Sequence, residues 1–169
     1  MNKPIYHFFT QDHHRIEDFL DKATADPDGI NMEYYEQFRS GILTHIKMEE
    51  KILFPAAQKA NNNISLPVAA KLRLEHGAIT SLMVPPPTTA LIKVVRHVLN
   101  KHDLAEEEPG GMYDMCEALT QNQNDELLEQ LAKITNTPLH PHNPAPYALD
   151  AAKRSLARAG YDYDALANS

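Results

Sequence analysis

With 169 residues the chain has room for one domain with a substantial core and too few residues for two full ones. A formal net charge of -7 and the lack of any run of five basic residues argue against nucleic acid or an anionic membrane surface as a partner. The single cysteine, Cys116, excludes an internal disulfide framework and a cysteine-based metal cage, whereas nine histidines stand out.

The opening MNKPIYHFFTQDHH holds no apolar stretch long enough for a secretory leader, and no segment is fit to span a membrane, so a reduced cytoplasm is the expected location. The first helix is predicted to bury Phe9, His13, Ile16 and Leu20, and ADPDG at 25–29 closes it. The second carries Tyr35, Phe38, Ile42, His45, Glu49 and Ile52 on one stripe and ends at the Asn-rich NNNISLP, 61–67. The third carries Ala69, Leu72, His76, Ile79 and Met83 and stops at PPPTT, 85–89. The fourth carries Ile92, Val95, Leu99, His102 and Glu106, and Pro109-Gly110-Gly111 should end or kink it. Sustained period-two alternation is missing, and the steps of three and four are those of packed helices. The expected fold is therefore all-α, an antiparallel up-down-up-down four-helix bundle over residues 1–120. A helical carboxyl-terminal extension over 121–169 follows, with helices at 125–134 and 150–167 flanking the extended TPLHPHNPAP. The last helix is expected either to pack on the bundle or to mediate a homodimer. His140 and His142 in the linker read as surface residues, with metal ligation as the other option.

In each helix the residue interrupting the apolar stripe is a histidine, or a histidine followed by a glutamate. An unpartnered polar group in a core costs a few kcal/mol, about 2–7 by transfer, and a carboxylate far more. A metal satisfies such groups together, because imidazole nitrogens and carboxylate oxygens are its ligands. Six donors with two carboxylates suit two divalent ions better than one tetrahedral zinc.

Depth supports convergence. About a turn near Gly29, His13 and His45 are equidistant, 16 residues to either side. About Asn62, His45 and Glu49 lie 17 and 13 residues before and His76 14 after. About Pro87, His76 lies 11 before and His102 15 after, a mismatch of about 6 Å at the helical rise. The pairs His45–Glu49 and His102–Glu106 each lie one turn apart on one face. His13–Glu17 and His14–Asp18 have the same spacing, so spacing alone does not identify a ligand; position on the apolar stripe does. His14, His97, Glu50 and Glu107 are expected to face water. Glu17 is read either as solvated or as a hydrogen-bond partner of a ligand imidazole.

The segments QDHHRIEDFL, THIKMEEKILFP, LEHGAI and NKHDLAEEE, over roughly residues 5–120, resemble the hemerythrin-like, or HHE cation-binding, family. The resemblance implies a non-haem pair of irons, oxo- and carboxylate-bridged, with zinc or manganese as substitutes. His13, His45, His76 and His102 would be terminal ligands, and Glu49 and Glu106 would bridge. Oxygen-carrying members add a second histidine on the third helix; here Leu72 and Thr80 stand a turn from His76. The implied function is therefore binding or sensing of oxygen, nitric oxide or iron at open coordination positions, with a diatomic molecule or peroxide as small ligand. The alternative is a di-iron redox enzyme of oxidase or peroxidase type, or an iron–sulfur cluster repair factor. Repair members usually carry a further cysteine-containing domain, which this sequence does not show.

Overall fold

The computed structural model describes residues 2–169, and its regular secondary structure is all helical, with no strand among the described residues. The helices are α1 (Pro4–Ala23), α2 (Met32–Met48), α3 (Phe54–Ala60), α4 (Ala69–Leu82), α5 (Thr89–Glu107), α6 (Met112–Leu119), α7 (Asn124–Ala132), α8 (Pro146–Arg158) and α9 (Tyr163–Ala167). The first three sequence breaks fall where the chain leaves the helix. Residues 150–167, expected as one helix, form two: Gly160 adopts φ +92° between α8 and α9, a left-handed turn that stops α8.

The chain divides into two compact units. One runs to Ala69 and resumes over Ala105–Leu139; the other comprises Ala70–Leu104 and His140–Ser169.

In the first unit α1 packs against α2 and α6, burying Ile5, Phe9, Ile16 and Leu20. Each such side chain contributes about 1.5–3 kcal/mol. That outweighs the lack of a side-chain cap at Lys3, where a good N-cap would supply about 0.5–2 kcal/mol. The cap instead comes from afar. Glu117 of α6 accepts the Ile5 N–H at 3.0 Å and the Tyr6 N–H at 3.4 Å, and a carboxylate at a helix amino terminus also suits the helix dipole. Lys3 pairs with Asp114 at 2.6 Å, and the Tyr6 hydroxyl donates to the Glu107 carbonyl at 2.7 Å.

Between α2 and α3 the helix continues through a π-helical turn, Glu49–Leu53, in which the Phe54 N–H reaches back to the Glu49 carbonyl. Pro55 follows at the start of α3. A helical proline has no N–H and crowds the carbonyl four residues back, and a wider turn relieves both. The inserted residue moves the core position: Leu53 is fully buried, while Ile52, expected on the stripe, is only half-buried.

After α5 the chain reverses through Pro109-Gly110-Gly111. Gly110 has φ +76°. A Cβ on Gly111 would lie 2.7 Å from the Ala105 carbonyl oxygen and 2.8 Å from that of Glu108, so only glycine fits. This tight reversal ends α5 and starts α6, which holds Tyr113 and Cys116 in the core of the first unit.

The second unit buries Leu72, Ile79 and Leu82 of α4, Val94, Val95 and Val98 of α5, and Ala152 and Leu156 of α8; Leu99 is only half-buried. Ser81 of α4 bonds Ser155 of α8 at 3.1 Å, and the Asn143 N–H donates to the Val84 carbonyl at 2.9 Å.

Glu117→Ala should lower stability by about 1–2 kcal/mol, the range for loss of a cap, whereas Glu117→Gln, which keeps an acceptor, should lose less. Denaturant unfolding measures both, and equal losses would rule out the capping role.

Candidate metal centre

Four buried donors meet in the first unit. His13 comes from α1, His45 from α2, Glu49 from the π-helical turn and Glu106 from the end of α5. One ligand atom from each lies within 4.8 Å of all the others. Ordinary metal–nitrogen and metal–oxygen bonds of about 2.0–2.2 Å would close that spread with small side-chain movements. His45 Nε2 stands 3.1 Å from Glu49 Oε1, and His13 Nε2 stands 3.3 Å from Glu106 Oε2. Both glutamates have 0% exposure, a position a carboxylate tolerates only beside compensating charge.

The far nitrogens of both imidazoles are also engaged. His13 Nδ1 is 2.5 Å from Glu107 Oε1, and His45 Nδ1 is 2.8 Å from Asp12 Oδ2. A carboxylate behind an imidazole fixes its tautomer and aims the other nitrogen, the usual support of a metal-binding histidine. Glu107, expected to face water, is thus held against His13 instead. Glu17, considered for that role, is exposed.

Electrostatics reflect this crowding. Burial opposes a charged His45, yet Glu49 and the hydrogen bond to Asp12 prevail over burial and over His13, holding its pKa at about 9. Burial likewise opposes the Asp12 carboxylate, but His45 and Arg15 hold it below the ordinary carboxylate range. Burial, with the negative charge of Glu49 and Glu106, pushes the Cys116 thiol up, so the only cysteine offers no thiolate.

At the centre of this group lies a hydroxyl absent from the sequence-based ligand set. Tyr113 Oη is 2.5 Å from Glu49 Oε1, 2.9 Å from Glu106 Oε2, and 3.1 Å from both His13 Nε2 and His45 Nε2. Its ring lies against Phe9 and His13, with centroids 5.3 and 5.6 Å away, and the residue is fully buried. A tyrosine just past a Pro-Gly-Gly reversal was the available signal, since such a turn folds the chain back toward the helix it has left.

The second unit brings its two predicted ligands together. His76 Nε2 of α4 and His102 Nε2 of α5 are 3.0 Å apart, with both residues buried. Behind His102, Nδ1 meets Glu75 Oε1 at 3.3 Å, and Glu75 also accepts the Tyr161 hydroxyl. Burial works against the Glu75 carboxylate, but its bonds to His102 and Tyr161 keep it below the usual range. Neither Glu75 nor Tyr161 was read as functional. His14, His97 and His140 are exposed, and His142 Nδ1 lies 3.1 Å from the Pro85 carbonyl. Among the described residues, none of these four histidines belongs to a group able to hold a metal.

The donor set is imidazole nitrogen and carboxylate oxygen, buried and converging, which fits a divalent or trivalent transition metal. No helix among the described residues is long and apolar enough to cross a membrane. No curated protein and no solved structure matches the chain. The family model described as hemerythrin HHE cation binding domain matches residues 4–158. With that match over most of its length and buried histidines and glutamates able to hold a metal, the chain belongs to the hemerythrin HHE cation-binding family.

Proposed function

We propose that this protein holds two non-haem irons and uses them to bind or sense a small ligand: oxygen, nitric oxide or peroxide. The observation that carries the reading is the buried convergence of His13, His45, Glu49 and Glu106 on one point in the first unit. Following the family pattern, His13, His45, His76 and His102 would be terminal ligands, and Glu49 and Glu106 would bridge. Asp12, Glu107 and Glu75 orient three of the imidazoles through Nδ1. Phe9 packs edge-on against His45 at 5.4 Å and lies against Tyr113, keeping water from the first-unit donors, which strengthens every electrostatic interaction there. When bound, iron supplies one-electron redox chemistry and open coordination positions for the ligand. With Leu72 and Thr80 where a further histidine would stand, six protein donors leave such positions open.

Anaerobic reconstitution with ferrous iron tests the reading. Two irons per chain and a visible charge-transfer band on adding air or azide are expected; one tightly bound zinc in their place would end the di-iron proposal.

His45→Ala and Glu49→Ala should each lose metal and metal-dependent thermal stability together. A ligand at a hundred times its Kd stabilises by about 2.7 kcal/mol, a gain that wild type should show on loading and both variants should not. Full metal content in both would remove these residues from the ligand set.

The pH dependence has a definite sign. His45 is raised from 6.5 to about 9 in the metal-free fold. Its contribution to stability is therefore complete below 6.5 and lost as pH rises through about 9. A metal ligand must be the neutral imidazole, so binding strengthens over that same interval. Manganese, added anaerobically, should raise Tm more near pH 9 than near pH 6.5. An equal or smaller shift at the higher pH would contradict ligation by His45.

A further inference from the structure

We infer that Tyr113 is itself a metal ligand, a fifth donor to the ion held by His13, His45, Glu49 and Glu106. The inference rests on the metal-binding reading above and extends it to a residue outside the histidine–glutamate pattern.

Two ligands on one ion, at bonds of about 2.1 Å and at right angles, stand about 3 Å apart. Tyr113 Oη has four neighbours at 2.5, 2.9, 3.1 and 3.1 Å, and all four are ligand atoms of the first-unit group. An octahedral vertex has four such adjacent vertices. Two edges of the plane beneath it are also present: His45–Glu49 at 3.1 Å and His13–Glu106 at 3.3 Å. Five donors could then serve one ion, which would leave room in its coordination sphere for a small ligand.

A purely hydrogen-bonding phenol explains less. It has one proton to donate and would satisfy one of the two carboxylates. The contact with the second carboxylate would then bring its lone pairs against another acceptor oxygen, a repulsive approach in a buried site. A cation placed among the five atoms makes every one of these contacts favourable. The scaffold also holds the hydroxyl in place: the Gly110–Gly111 reversal sets the start of α6, and Glu117 and Asp114 tie α6 to the start of α1.

On binding, the phenol O–H bond breaks as the oxygen–metal bond forms, and the proton is released to the buffer. A phenolate is a hard anionic donor and favours the ferric over the ferrous ion.

The test uses the full chain loaded with ferrous iron and then exposed to air. The ferric protein should show a phenolate-to-iron absorption band. Resonance Raman excitation in that band should enhance tyrosine ring modes, which shift when the protein is made with ring-deuterated tyrosine. Tyr113→Phe, which keeps the packing against Phe9, should abolish the band and those modes while the protein still binds iron. Wild-type ferric protein without tyrosine modes, or a variant that retains them, overturns the inference and leaves the metal-binding reading intact. Wild type that binds no iron overturns both. The wild-type isotope shift decides the matter even if the variant fails to fold.

Discussion

Charge buried without water is the constraint that organises this molecule. Glu49, Glu75 and Glu106 are wholly shielded from solvent, and four histidines are nearly so. Moving even one carboxylate into a low-dielectric interior costs several kcal/mol after relaxation, comparable to the net stability of a small domain. Such groups persist where each is met by an opposite charge or by hydrogen bonds. In the metal-free fold part of that role falls to His45, which is held charged well above the ordinary imidazole range. A bound cation would take over the same electrostatic task. Metal binding and folding would be coupled in this sense: the residues able to hold an ion are those whose burial is least tolerable without it.

Bringing donors from separated segments to one point requires irregular backbone at two places. The π-helical turn lets one continuous helical stretch carry Glu49 inward above His45 and still accommodate Pro55. The glycine reversal after α5 lets α6 enter the core directly, with Tyr113 as its second residue. Both irregularities adjoin donors, as expected where geometry is set by function rather than by regular packing. Elsewhere in the first unit the packing is conventional, with aromatic and aliphatic side chains filling the space behind the donors.

Much of this was legible in the sequence because helical periodicity and metal chemistry leave separate marks that coincide at the same positions. The stripe positions of His13, His45, Glu49, His76, His102 and Glu106 follow from steps of three and four, and all six are buried. What the pattern did not carry were contacts between residues distant in sequence. Asp12 supports His45 across 33 positions, and Glu107 supports His13 across 94; neither spacing has a local signature. Glu107 looked solvated because it is the middle one of three consecutive glutamates at the end of a helix. Tyr113 lies in α6, past the reversal, where the periodicity of the four apolar stripes carries no information. The shift from Ile52 to Leu53 was hidden for another reason: stripe counting assumes an unbroken period of 3.6, and a single inserted residue defeats it.

The carboxyl-terminal segment shows how far support for a histidine can extend. Its composition gave no hint beyond amphipathic helices. Yet past the left-handed Gly160, Tyr161 donates to Glu75, packs edge-on against His97 at 6.1 Å, and so fixes the carboxylate behind His102. A carboxylate that oriented an imidazole but was itself loose would transmit its disorder to the ligand. The tyrosine removes that freedom by occupying the second oxygen. Partners of this kind typically alter metal affinity by about 10–100-fold, so an extension that contributes no ligand can still set how tightly a metal is held. In the first unit the equivalent supports, Asp12 and Glu107, retain side-chain exposures of 13% and 30%; Glu75 retains none. A shielded carboxylate acts on its imidazole with little solvent screening, which offsets the longer separation at His102, 3.3 Å against 2.5 and 2.8 Å in the first unit.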